Sequence, residues 1–557
     1  GIDLAHNLTS KLGNITLDGD KDATGGADNI LDIANNVVID AEGDTKSIVL
    51  KGRDSSNAGS IVFSGVGTVN AGTNITFEDS IKATAAGAVV INADHKATPT
   101  GVGVVDVKYI DSTGQTITLK GGNLTLGANF LGTTINIEET ASAGISFGSD
   151  TSLGMDITDS EMDFIGKTAA VATVNFISGG DAKLNALTQA KTGGITNSIV
   201  NVGGEITVLG TTVFDNKINF QADDGITINA ALTSSVDTIN FSAAEDNSGT
   251  FFLKEGITVT AGTDANDHIT ISASSVNIES TGKLIAGGEN ANSTITAVNG
   301  VTINTGGEGA VTLGEGELGA FETNELILVT TGTGDINIDS SVDLSDKKVA
   351  HLKLDSTDNI QINGVLKVKN LLVEADDDLT VNANVETTAA AGDLVLKANT
   401  DTTNETDSLT FSNGVALTSL DNISLSASAA AQAGITSVGS LTVTANDDIT
   451  VENTLTATAV GAVTKLFANN DGNADGTLDI DKIIATGRDL QLKGVNWTGT
   501  DGTNTIAAAN ITFDATSGKS VGLGDHNGDI DMNEVFLGGI TATGQFEIAT
   551  LGAVDIT

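Results

Sequence analysis

The sequence predicts an all-β fold organised as a parallel β-helix, a solenoid in which each turn of the chain lays short strands against those of the turn before. Three observations carry this expectation. Strand-like segments recur from one end to the other, as in Asn74-Ile75-Thr76-Phe77, Thr238-Ile239-Asn240-Phe241, Asp335-Ile336-Asn337-Ile338 and Ser440-Leu441-Thr442-Val443. Each alternates apolar and polar side chains, which buries one face of a strand and leaves the other in water. The chain of 557 residues holds one proline, Pro99, and 66 glycines. Proline cannot donate to a sheet ladder, so its near absence suits strands paired on both edges, while glycine supplies the positive φ angles of tight corners. Aromatic residues make up only 3% of the chain, which fits a narrow core of stacked aliphatic side chains better than a wide sandwich core.

Length alone would suggest several globular domains, yet no break in composition divides the chain. A solenoid grows along one axis because each coil is buried by its neighbours. The apolar positions Ile206 and Ile226 are 20 residues apart, Ile218 and Ile239 are 21, and Ile257, Val276 and Ile295 follow at 19. Such a period holds two or three short strands with their turns, the size of one β-helix coil. The pairs Ile75/Phe77, Ile226/Ile228, Ile239/Phe241 and Leu441/Val443 are expected to point inward. Stacked parallel strands also allow ladders of like side chains, and Asn14, Asn74, Asn123, Asn422 and Asn510 all sit at strand starts.

The whole chain, 1–557, reads as one elongated β-solenoid, which can be subdivided into an N-terminal solenoid part over 1–158, an irregular or helical excursion over 159–194 and a more regular solenoid over 195–557. Within the excursion, Asp181 through Lys191 reads as a short helix: Asp181 opens it, Leu184 and Leu187 are three apart, and Gly193-Gly194 follows. Both ends carry strand-like sequence, Asn14-Ile15-Thr16-Leu17 and Ala553-Val554-Asp555-Ile556-Thr557. The last segment shows no capping signature, so a further coil, from more chain or another molecule, is expected to cover it. The start at Gly1 reads as a mature or trimmed product.

The formal net charge is −46, from 72 acidic against 26 basic residues, and Arg53 and Arg488 are the two arginines. Nucleic-acid binding requires a basic surface, and this composition excludes it. An acidic surface promotes solubility and attracts divalent cations. It fits either of two readings, a charge that only keeps an extended β protein soluble or a calcium-rich or saline habitat. No apolar run approaches the ~18 residues of a membrane helix, so direct membrane insertion is not expected. Cysteine is absent, which removes thiol chemistry and Cys-based zinc sites.

The best cation motif is Asp471-Gly-Asn473-Ala-Asp475-Gly476-Thr-Leu-Asp479, which matches the first half of an EF-hand-type loop, with oxygen ligands at alternate positions and a glycine for the turn. Its twelfth position is Lys482 where a carboxylate would complete the set. Asp471, Asn473, Asp475 and Asp479 are therefore the candidate metal ligands, with Ca²⁺ as the cation, against the alternative of a solvated Asp/Gly turn. Asp18, Asp20 and Asp22 alternate similarly, as do Asp525, Asn527, Asp529 and Asp531; the second set equally fits the outward face of a strand. Gly25-Gly26-Ala27-Asp28 occurs once and reads as a glycine turn. His6, His95, His268, His351 and His526 are scattered, with no pair at metal-ligand spacing. An enzyme is not expected.

The segments Gly414-Val-Ala-Leu-Thr-Ser-Leu-Asp-Asn-Ile-Ser-Leu-Ser-Ala and Gly439-Ser-Leu-Thr-Val-Thr-Ala-Asn-Asp-Asp-Ile-Thr-Val resemble the repeats of filamentous haemagglutinin-like exoproteins and autotransporter passengers. The resemblance is one of repeat grammar and extends in diluted form over 200–557. It implies a bacterial, secreted, right-handed parallel β-helix located outside the cell or on its surface. The implied function is a structural or adhesive one, with a host or surface glycan as partner, and the open final coil adds self-association end to end into a filament. The alternative is a carbohydrate-binding or carbohydrate-cleaving β-helix.

Overall fold

A computed structural model describes residues 1–20, 30–52, 60–85, 87–128, 130–149, 152–165, 171–187, 195–243, 249–262, 267–273, 275–278, 283–286, 292–297, 301–303, 311–312, 318, 321–330, 335–400, 407–427, 434–471, 476–498, 505–515, 521–523, 530–532, 537–549 and 554–556. The chain forms two compact units, Gly1–Ala291 and Asn292–Thr557. Each is a parallel β-solenoid.

In the first unit the chain lays down three short strands per turn. Ile61–Phe63, Gly67–Ala71 and Ile75–Phe77 make one coil, and Ile81–Ala83, Ala88–Ala93 and Val104–Val107 make the next. The second coil lies in parallel register on the first, with Ile81 opposite Ile61, Ile91 opposite Val69 and Val105 opposite Ile75. Alternation turns every second side chain inward, and register places inward residues on one another. The stacks that result, such as Ile15, Ile48, Ile75, Val105 and Leu124, are nearly waterless. The eight residues expected inward, from Ile75 to Val443, are each at most 1% exposed.

The coil spacing holds where the sequence places it for Ile206 on Ile226 and Ile218 on Ile239. It fails further on. Val276 stacks on Phe251 and not on Ile257, and the strand holding Ile295 pairs in register with Leu328. Ile257 lies in a turn, where its N–H donates to the Lys254 carbonyl. Coils here differ in turn length while strand register is kept, so a fixed count picks the wrong partner.

The helix expected over 181–191 is also corrected over 181–187, its remaining residues lying outside the described ones. Ala182–Asn185 is a strand, paired with Ile145–Gly148 on one edge and Glu205–Val208 on the other. Ladder bonds on both edges outweigh a weak local helical preference. Leu184 and Leu187 are both fully buried because Ala186, at φ 56°, turns the chain between them. The helix of this region is Asp159–Phe164, opened by a capping box between Thr158 and Glu161. The Glu161 carboxylate accepts the Thr158 N–H at 2.8 Å and the Leu126 N–H at 3.3 Å. It thereby supplies an acceptor to the strand Asn123–Leu126 where that strand meets the helix.

The second unit repeats the plan. His351–Ser356, Ile360–Ile362 and Leu366–Val368 are followed by Leu371–Ala375, Leu379–Val381 and Val385–Thr387. Leu352 lies opposite Leu371, Ile360 opposite Leu379 and Leu366 opposite Val385. Two hydroxyls that enter this core share one acceptor. The Ser419 hydroxyl donates to the Gly392 carbonyl at 2.6 Å, and the Thr387 hydroxyl lies 2.9 Å from Ser419 and 2.7 Å from the same carbonyl. At the corners coils approach so closely that a side chain has no room: a Cβ on Gly392 would lie 2.4 Å from the Lys369 carbonyl oxygen.

Since inward stacking holds the coils together, Phe77→Ala should destabilise the first unit by about 3–5 kcal/mol. The outward neighbour change Thr76→Ala should stay within about 0.5 kcal/mol. Urea unfolding of the full chain, followed by the midpoint at unchanged slope, measures both.

Candidate functional site

The side chains on the outward positions decide what each solenoid can contact. In the second unit, Ile336–Ile338, Ile360–Ile362, Leu379–Val381, Leu409–Phe411, Ile435–Ser437 and the second half of Ile449–Ala457 stack in parallel as one sheet face. Their central outward residues run Asn337, Gln361, Thr380, Thr410, Thr436 and Thr456, each directly opposite the next. Two outer columns flank this one. Asp335, Asn359, Asp378 and Ser408 precede the first four strands, and Asp339, Asn363, Asn382 and Ser412 follow them.

The outer columns are hydrogen-bonded along the stack. Asn359 Nδ2 donates to Asp335 at 3.0 Å, and Asp378 accepts the Ser408 N–H at 2.7 Å. On the far side Asn363 Nδ2 donates to Asp339 at 2.7 Å and Asn382 Nδ2 to Asn363 at 2.6 Å, and the Ser412 hydroxyl bonds Asn382. Chemically the face is a grid of amides, hydroxyls and a few carboxylates on fixed backbone, repeated at the roughly 4.8 Å strand spacing.

A neighbouring face carries charge. Lys353 bridges Asp355 and Glu374 at 2.9 Å each, and Lys397 reaches Glu374 at 3.1 Å. Partial burial works against the ionised Glu374, but hydrogen bonds and charge from Lys353 and Lys397 outweigh it and hold its carboxyl below the ordinary value. Burial likewise opposes the Lys353 ammonium, and Glu374 and Asp355 override it, so its pKa is raised. Asp421 goes the other way. Its burial, then the nearby Asp393 and Asp448 carboxylates, push its pKa up.

A dense polar centre of the first unit is built on Asp94. Asp94, 1% exposed and at φ 71°, accepts the Thr100 and Gly101 N–H groups at 2.8 and 2.7 Å and the Thr140 hydroxyl at 3.1 Å. Lys96, itself 7% exposed at the side chain, ion-pairs with it at 2.9 Å. Burial alone would raise the Asp94 carboxyl, but these partners reverse the effect and lower it. The carboxylate closes the loop between Ala88–Ala93 and Val104–Val107, which contains Pro99. With its lone pairs engaged, Asp94 acts as a structural key.

The sequence-derived metal candidates are placed as follows. Asp471 lies in a turn, Asp479 projects outward from the strand Thr477–Gly494 opposite Thr450, and Asn473 and Asp475 lie outside the described residues. Asp18 accepts the Asp20 N–H at 3.0 Å and lies 3.8 Å from Lys51. Among the described residues no group of three or more His, Asp or Glu side chains is arranged to hold a metal ion.

The ladders of like side chains expected at Asn14, Asn74, Asn123, Asn422 and Asn510 are not what these five residues form; each instead caps a backbone N–H. Asn14, Asn74, Asn123, Asn422 and Asn510 accept the N–H groups of Ser47, Val104, Asp156, Asp448 and Gln545, at 2.9–3.1 Å. Each thus bonds the backbone of a segment stacked on its own strand. The polar face itself was not singled out from sequence. Its signal is the five-residue pattern Asp335-Ile-Asn-Ile-Asp339, Asn359-Ile-Gln-Ile-Asn363, Asp378-Leu-Thr-Val-Asn382, Ser408-Leu-Thr-Phe-Ser412.

Fold and surface together define the class as a parallel β-solenoid that displays repeated polar side chains. No protein-family model matches the chain, and neither does a curated protein or a solved structure.

The pH behaviour follows from the signs above. A lowered carboxyl pKa contributes stability above the ordinary glutamate value of 4.5, and that stability is lost as pH falls through the lowered value. Glu374→Gln should reduce stability at neutral pH by under about 1 kcal/mol, given its partial exposure. It should also flatten the acid limb, which urea midpoints at neutral pH and below pH 4.5 compare directly.

Proposed function

We propose that this chain is an extracellular structural or adhesive protein of a bacterial cell surface, whose polar grid in the second unit contacts an uncharged surface glycan and whose copies associate end to end. The observation that carries the adhesive part is the column Asn337, Gln361, Thr380, Thr410, Thr436, Thr456 with its bonded flanks. Amide and hydroxyl groups exchange hydrogen bonds with sugar hydroxyls. A repeat at fixed spacing lets an extended polymer make many weak contacts at once, so that affinity comes from multiplicity. The acidic character of the chain favours a neutral glycan over an anionic one.

The end-to-end part is supported by the strand Phe546–Ala549, which stacks on Ile506–Ala515. Phe546 is 41% exposed, whereas Ile511 opposite it in register and Phe513, whose ring lies 5.4 Å away, are fully buried. A second copy's coil would cover this apolar surface and extend the stack. Such a contact joins unlike surfaces and need not close, which generates a filament.

Binding of the fluorescently labelled full chain to immobilised cellulose, chitin and dextran tests the adhesive reading. At least one should be retained, and Thr410→Arg with Thr436→Arg should lower retention by about tenfold with an unchanged melting temperature, as expected when several coupled contacts are lost. Retention on none, or full retention by the double variant, would refute it. For assembly, light scattering should show growth with concentration that Phe546→Asp abolishes. Trp497, the single tryptophan, lies 4.2 Å from the Phe513 ring, which is 5.4 Å from that of Phe546. Its emission should shift as copies associate, and a species that stays monomeric at high concentration would end this part of the proposal.

A further inference from the structure

Two Asn–Gly pairs, Asn363–Gly364 and Asn413–Gly414, sit at the corners that leave the polar face. Asn–Gly is the dipeptide in which the following main-chain nitrogen most readily attacks the asparagine side-chain carbon, because glycine puts no side chain in the way. The attack forms a bond from that nitrogen to Cγ and breaks the Cγ–Nδ2 bond, releasing ammonia. The resulting succinimide takes up one water and opens to aspartate or isoaspartate. Water is the only co-reactant.

The reaction needs a free glycine N–H that can lose its proton and a side-chain amide that can swing onto the nitrogen. Coil stacking withholds both. The Gly364 N–H donates to the Ile338 carbonyl at 2.8 Å, and the Gly414 N–H to the Ser440 carbonyl at 2.8 Å. Asn363 is held at both amide atoms, donating to Asp339 at 2.7 Å and accepting from Asn382 at 2.6 Å. Asn413 accepts the Ser440 N–H at 2.9 Å through Oδ1. All of these partners belong to adjacent coils. The glycines are fixed by geometry as well: a Cβ on Gly364 would lie 2.0 Å from the Ser340 carbonyl oxygen, and Gly414 is at φ 85°.

We infer that Asn363 and Asn413 are deamidation sites gated by coil stacking, dormant while the neighbouring coil is in place and reactive when it opens. Conversion blocks reclosure. Aspartate at 363 loses the Nδ2 donor and sets a carboxylate against Asp339, and isoaspartate adds a main-chain atom to a corner whose strands are in strict register. Each opening event that ends in reaction is thus recorded irreversibly. Asn413, held through its oxygen, should react before Asn363, which is held at both atoms.

Peptide mapping by mass spectrometry, with isoaspartate-specific enzymatic methylation, reads both positions in the full chain held at mildly alkaline pH. Conversion in the folded protein should be at least about tenfold slower than in the same chain in denaturant, since reaction must await local opening. Asn382→Ala should speed conversion at Asn363, whose amide oxygen it releases. Equal rates in folded and denatured chain at both positions overturn the inference. So does an Asn382→Ala variant of unchanged melting temperature in which Asn363 reacts no faster.

Discussion

Parallel pairing of every coil with the next is the constraint on which the rest of each unit depends. A three-residue strand cannot stand alone, and its backbone donors and acceptors are met only by strands of neighbouring coils. Once that pairing is imposed, register follows, because a one-residue slip would turn Ile360 and Ile362 outward and Gln361 inward. Register then stacks like on like. The aliphatic columns, the phenylalanine contacts such as Phe220 with Phe241 at 5.7 Å, and the amide ladders outside are all consequences of it.

Corners carry the remaining burden, since they must turn the chain without leaving backbone groups unpaired. Asparagine meets both needs. It tolerates the positive φ seen at Asn36, Asn399 and Asn453, and its side-chain oxygen caps an N–H on an adjacent coil, as Asn35 does for Val66 at 2.9 Å. Glycine serves where coils are closest, and buried carboxylates where a longer loop must be closed. Asp94 closes one such loop. Glu139, which accepts the Ala141 and Ala143 N–H groups and the Ser178 hydroxyl, closes another.

These requirements explain what could be read from the sequence. Strands such as Asn74 to Phe77 announce themselves because alternation is a local property, and the asparagine corners do so because residue type and position suffice. Partners are harder. The coil from Leu352 to Leu371 is shorter than that from Leu379 to Leu409, so alignment by count fails wherever a turn lengthens, as it did at Val276. The segment at Leu184 and Leu187 imitated a helix because a single left-handed residue, Ala186, reproduces a three-residue spacing. The true helix signal, Thr158 followed three residues later by Glu161, is a capping box too short to stand out. Asp94 was invisible because its partner Thr140 lies on another coil.

Parallel stacking also sets a problem for an acidic chain. Equivalent positions on successive coils lie one strand spacing apart, so a carboxylate repeated in a column repels its copies. Two solutions are visible. In one, sign alternates or a bridging lysine intervenes: Lys51 lies 3.8 Å from both Asp18 and Glu78, and Lys353 joins Asp355 to Glu374 within one column. In the other, amides and hydroxyls replace charge, which turns repulsion into a hydrogen-bonded ladder such as Asp339, Asn363, Asn382 and Ser412. Asn422 likewise separates Asp393 from Asp448, donating to one and accepting the N–H of the other, while the adjacent Asp421 has its pKa raised first by burial and then by those two carboxylates. The polar grid proposed to contact a glycan is therefore first an answer to electrostatics. Uncharged ladders allow coils of an acidic protein to stack in register, and the same ladders leave a regular array of donors and acceptors facing outward.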